Sequence, residues 1–189
     1  PIYQQGGKHG IPKIASVLRE IGVPVKAVFD IDFLSERSLV KKTVDAFGGD
    51  WNLMEPIWTR VDLAVRRGIK PKSITEIKTT VSSIIEKAKD EELPTGDIIE
   101  AKKQGNPWNE VNRFGSIAIP NGESQSDYNT LKELLEAIGI YLIPVGEVEN
   151  FCPDMGCHGP KFVTKLLSTV PLDDGRLTEL RKFVEHVHR

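Results

Sequence analysis

The sequence predicts an α/β fold, a mostly parallel sheet flanked by helices, carrying an all-helical insertion. Three observations predict it. An amphipathic helical pattern runs into the short apolar segment Val25-Lys26-Ala27-Val28-Phe29, the mark of a buried parallel strand. A second strong apolar run, Ile140 to Val145, follows another helical pattern late in the chain. Between them, from Ser38 to about Gly105, only helical patterns occur.

The elements follow in order. Ile2 to Gln5 reads as a strand that leads into Gly6-Gly7-Lys8-His9-Gly10. Pro12 to Ile21 reads as a helix with Ile14, Val17, Leu18 and Ile21 on one face, closed by Gly22. Strand, helix and strand in succession imply a right-handed crossover. The helical stretch then divides into Leu39 to Phe47, Trp51 to Arg67 with an interruption near Pro56, Ser73 to Lys89 with Ser73 as its cap, and Asp97 to Gln104. Ser116 to Ile119 reads as a strand, Ser126 to Ile138 as a helix, and Gly159 to Ser168 and Asp173 to His188 as closing helices. The organisation expected is a core in two parts, residues 1–37 and 106–189, separated by the insertion at 38–105.

Composition sets bounds. The 189 residues are 39% hydrophobic and 28% charged, ordinary for a soluble globular domain. No apolar run approaches the roughly 20 residues of a membrane helix, and no signal-peptide pattern is present, so a cytoplasmic protein is expected. A net charge of −2 gives no overall attraction for nucleic acid; a local basic patch or bound metal has to supply it. Cys152, Cys157 and His158 fall short of the four ligands of a closed zinc site. A chain that opens on Pro1 is expected to be a fragment.

The chemistry sits at the strand ends. Asp30 and Asp32 lie two apart at the carboxyl end of an apolar run, and residues two apart in a strand point the same way. Open α/β sheets bind ligands at that edge. Two unit charges about 6 Å apart repel by roughly 3 kcal/mol at an effective dielectric of 20, a penalty that a divalent cation removes. Glu147 and Glu149 repeat the arrangement after the second run. Oxygen ligands favour Mg²⁺ or Mn²⁺, and two cations about 4 Å apart recur in phosphodiester cleavage. Gly7 and Lys8, with His9 and His158, are candidate phosphate or DNA contacts, and Lys161 is a candidate for stabilising transition-state charge. Trp51, Trp58 and Trp108 fall in helical patterns and read as packing residues.

These segments resemble a family. Gly6-Gly7-Lys8-His9, Val28 to Leu34, Phe47-Gly48-Gly49-Asp50-Trp51, Tyr141 to Phe151 and His158-Gly159-Pro160-Lys161-Phe162 are similar, in this order, to the carboxy-terminal Toprim nuclease region of OLD-family proteins. The resemblance implies a Toprim-like sheet, divalent-metal-dependent DNA cleavage or nicking, and a role in phage or plasmid defence. It implies an ABC-type ATPase domain as covalent partner, with homo-oligomers formed through that domain. Asp30, Asp32 and Glu147 would be catalytic metal ligands, Glu149 a further ligand, and Lys161 the catalytic lysine. The family pattern begins with a strand ending in a glutamate upstream of Gly6, for which this sequence has no room; the resemblance therefore implies a piece inactive by itself. Two alternatives stand beside it. One is a non-catalytic Toprim module for DNA binding or assembly. The other is a phosphatase of the haloacid-dehalogenase type, with Asp30 as nucleophile and Asp32 as acid/base.

Overall fold

The computed structural model describes residues 7–88, 93–156 and 159–189. Its centre is a pair of parallel strands, β1 (Ala27–Phe29) and β2 (Ile140–Leu142), in the register Ala27 to Ile140, Val28 to Tyr141 and Phe29 to Leu142. Around them lie α1 (Ile11–Glu20), α2 (Arg37–Ala46), α3 (Trp51–Gly68), α4 (Ile74–Lys87), α5 (Thr95–Lys103), α6 (Trp108–Phe114), α7 (Glu123–Ala137), α8 (Pro160–Thr169) and α9 (Thr178–His188).

The expected Toprim-like, mostly parallel sheet flanked by helices is therefore corrected. The described residues are mostly helical, and their sheet is two short parallel strands. The apolar run at Val25 to Phe29 looked like a strand covered on both faces, but Val28 is 41% exposed between buried Ala27 and Phe29. Helices thus cover one face of β1 and leave Val28 open. Ser116 to Ile119, expected as a strand, lies largely in a 3-10 turn, Gly115–Ala118. Its Ser116 N–H donates to the Pro144 carbonyl, and Ile117 points into solvent. Pro144 has no N–H to continue a ladder, and β2 stops two residues before it. The expected strand Ile2 to Gln5 lies outside the described residues.

The helices that replace the sheet are well specified locally. Ser73 and Glu76 form a reciprocal capping box at the start of α4. Asp50 accepts from the Asn52 N–H at the start of α3. The interruption expected at Pro56 does not occur, because α3 is continuous through it. Trp51, Met54, Trp58, Val61 and Val65 form an unbroken buried stripe that holds the helix to the core on both sides of the proline. Trp108 was expected in a helical pattern, but the bounds of α6 were not foreseen.

One hydrophobic cluster joins the strands to α2, α3 and α7, so α2 and α3, which fall largely in the expected insertion, wall the same core as Phe29 and Ile140. The tryptophans are packing residues as expected, at 3%, 6% and 0% exposure for Trp51, Trp58 and Trp108. Trp58 donates to the Leu34 carbonyl and Trp108 to the carboxylate of Asp62, at 2.9 and 2.8 Å. Arg66 pairs with the same carboxylate, so Asp62 links α3 to α6 without leaving its charge unmatched. A smaller cluster of Cys152, Met155, Phe162, Val170 and Leu177 anchors α8 and the turn before α9.

The two indole N–H groups should respond differently to removal. Trp108→Phe loses a hydrogen bond to a buried carboxylate and should cost about 1.5–3 kcal/mol in urea denaturation. The Trp51 indole N–H has no hydrogen-bond partner among the described residues, and Trp51→Phe should cost distinctly less. Equal costs would contradict the role given to Asp62.

Candidate functional site

Parallel pairing brings the carboxyl ends of β1 and β2 to one edge. The backbone extends the pairing past both strands: the Ile143 N–H donates to Phe29 and the Ile31 N–H to Gly146, at 2.9 and 2.8 Å. Asp30 immediately precedes Ile31 and Glu147 immediately follows Gly146, so this ladder sets the two acids side by side. The chain then turns at once in both places. Asp32 lies in the 3-10 turn Ile31–Ser35 and Glu149 in the turn Val148–Phe151. The strand alternation expected to align each acidic pair is thus replaced by a strand end followed by a tight turn.

Asp30, Glu147 and Glu149 line one cavity of about 740 Å³. Burial pushes the Asp30 carboxyl up to about 6, assisted by the negative field of Asp32, Glu147 and Glu149, with Lys8 acting in the opposite sense. The residue keeps a large part of its surface in contact with water, so salt screens part of this effect. Glu147 accepts from the Asn112 side-chain amide at 3.1 Å, and Glu149 accepts from the Gly159 backbone N–H at 2.7 Å. Asp32 does not line the cavity; Lys8 holds it at 3.2 Å and holds Glu36 at 2.9 Å. Burial works against the Lys8 charge, but its hydrogen bonds and the two carboxylates outweigh burial and raise its pKa.

The remaining expected residues are spread around this centre. Gly7 precedes the short turn Lys8–Gly10 with a φ of 86°, and open space surrounds the position of its missing side chain. His9 is exposed and sits 3.5 Å from Glu36, away from the acids of the cavity. Lys161 is exposed in the first turn of α8 and lines a separate shallow surface with Thr164, Lys165 and Ser168. His158 and Gly6 lie outside the described residues, as does Cys157.

The structure adds residues that were not foreseen. Glu36 completes the Lys8 pair. Asn112 and Arg113 of α6 line the same cavity as the acids. Asn150 directs its amide at three backbone carbonyls, those of Asn112, Arg113 and Val145. It stood beside the acidic pair in the sequence, and a side chain able to donate twice next to Glu149 was the available signal. Gly146 is the other half of this lock. Its φ is 102°, and a side-chain carbon there would collide with the Asn112 carbonyl. Only glycine lets α6 approach the acid-bearing loop this closely.

The donor set is oxygen-only, which suits Mg²⁺ or Mn²⁺, and its crowding of negative charge is what a divalent cation relieves. Among the described residues, no three His, Cys, Asp or Glu side chains already stand as a coordination group, so a cation would have to draw the acids together. Among the described residues no helix is long and apolar enough to cross a membrane. Compared with protein-family models, curated proteins and solved structures, the chain matches none.

Two outcomes follow from this geometry. Asp30 has a folded-state pKa of about 6 against an ordinary 3.8, so its ionisation opposes folding. The contribution favours folding most below the ordinary value and is lost as pH rises through about 6. In chelator at low salt, Asp30→Asn should therefore raise Tm relative to the parent at pH 7.5 and not at pH 4; a constant offset would contradict the shift. Gly146→Ala adds an unfavourable backbone conformation and a backbone collision, and should cost at least about 2 kcal/mol in denaturant unfolding. A neutral result would show that α6 does not press on the loop.

Proposed function

We propose that this chain carries a divalent-metal-dependent DNA endonuclease centre, with Asp30, Asp32, Glu147 and Glu149 as the residues that hold Mg²⁺ or Mn²⁺. One observation carries the reading. Carboxylates that follow the ends of two parallel strands, Asp30 after β1 and Glu147 and Glu149 after β2, line a single cavity. The ordered resemblance of the acidic segments to OLD-family nucleases supports the same chemistry.

The residues divide the work. The Asn112 amide donates to Glu147 and the Gly159 N–H donates to Glu149, which fixes the position of each carboxylate. Lys8 holds Asp32 in place from the opposite flank. The contact between Glu149 and Gly159 brings the start of α8 against the acids, and Lys161, two residues on, adds positive charge from that flank. When bound, a cation supplies charge neutralisation and water activation for phosphodiester hydrolysis. DNA is the proposed substrate. An ABC-type ATPase domain, through which homo-oligomers would form, is the proposed partner, and cytoplasmic phage or plasmid defence is the proposed setting.

Relaxation of supercoiled plasmid in Mn²⁺ tests the reading, beside the rise in Tm that Mn²⁺ produces. Asp30→Asn and Glu147→Gln should each abolish the Mn²⁺-dependent rise in Tm and, in a chain extended upstream, reduce nicking by at least about 100-fold, the scale of losing a group that stabilises the transition state. Nicking by the extended chain that survives both substitutions, or a parent chain without a Mn²⁺ response, would overturn it.

A further inference from the structure

The acid cavity does not end at its far wall. A second cavity of about 340 Å³ adjoins it, and the two share Glu100, Asn109 and Arg113 as wall residues. Lys70 and Lys72, from the link between α3 and α4, line the second cavity. Its charged lining is thus Lys70, Lys72 and Arg113 against Glu100 and Glu110. Glu100 is paired with Lys103 at 3.3 Å. Among the described residues, no ion pair is formed by Lys70, Lys72 or Arg113. The path from Asp30 and Glu147 through Arg113 to the two lysines therefore runs from negative to positive.

We propose that this second cavity is a track for one nucleic-acid strand, in which Lys70, Lys72 and Arg113 hold the phosphates that flank the one at the acidic centre. The inference rests on the nuclease reading and deepens it by naming the surface that holds the substrate. The charge order is the one such a substrate requires. A polyanion cannot approach four carboxylates unless nearby cations compensate, and the chain as a whole, at −2, offers no general attraction. Arg113 stands where the two cavities meet, and its guanidinium lies 5.0 Å from the exposed ring of Phe114, a platform of the kind on which an unpaired base stacks.

Salt dependence of binding provides the test. A labelled single-stranded oligonucleotide is titrated with the chain in Ca²⁺, and log Kd is followed against log salt concentration. Each phosphate contact to a single strand contributes about 0.7 to the slope, so Lys70→Ala/Lys72→Ala should lower its magnitude by about 1.4. Lys70→Arg/Lys72→Arg should restore the parent slope, which a merely structural role for the lysines would not do. Both lysines are exposed, so the substitutions leave the core intact. An unchanged slope in the alanine variant, or a loss that arginine does not restore, would overturn the track. The Mn²⁺-dependent rise in Tm reports separately on the acids: its absence beside a lowered slope removes the nuclease reading and keeps the binding surface.

Discussion

The parallel register of two short strands is the constraint on which everything else depends. Antiparallel strands would carry Asp30 and Glu147 to opposite ends. Parallel ones bring them to the same edge, and the hydrogen bond from Ile31 to Gly146 continues the register beyond the strands, to the residues that bear the acids. Such a bond belongs to the general requirement that buried backbone groups be paired. The acids are neighbours because the flanking amide and carbonyl must satisfy each other, even though their charges repel.

That repulsion is met unevenly. Lys8 answers Asp32, Asn112 answers Glu147, and the Gly159 amide answers Glu149. Asp30 is partly withdrawn from water and also faces the other acids, and the two effects together raise its pKa. The same crowding makes the centre a source of instability for the fold, which the surrounding core must outweigh.

What could be read from the sequence was local. The capping serine of α4, the buried tryptophans and the acidic ends of both apolar runs are short-range patterns, and the structure contains them. The sheet was misjudged for a physical reason. An apolar run such as Val25 to Phe29 shows that a strand is plausible but not how many neighbours it has; the 41% exposure of Val28 is a tertiary fact with no local signature. The segment Ser116 to Ile119 has β-branched residues, yet Gly115 before it and the Pro144 carbonyl opposite it bend it into a turn. The bounds of α6 are hidden, although Trp108 falls in a helical pattern, because its seven residues offer a single buried pair, Trp108 and Val111. Glu36, Asn112 and Arg113 were missed for the same reason. Their partners lie far away along the chain, and only the fold brings them together.

The short helix α6 shows how closely site and scaffold are joined here. Seven residues cannot hold a helix by propensity alone. Trp108 fixes its start to Asp62 in the core, and Asn150 gathers the Asn112 and Arg113 carbonyls at its end. Those last carbonyls are ones that a helix leaves without internal partners, so the acid-bearing loop completes the helix while the helix walls the loop. Gly146 permits the approach and Asn150 secures it. A change that loosens this lock would move Arg113 and the Glu147 carboxylate together, because the same few backbone contacts position both. The cation at the meeting of the two cavities and the acid beside it are therefore one mechanical unit, tied at one end to the strand register and at the other to the buried tryptophan.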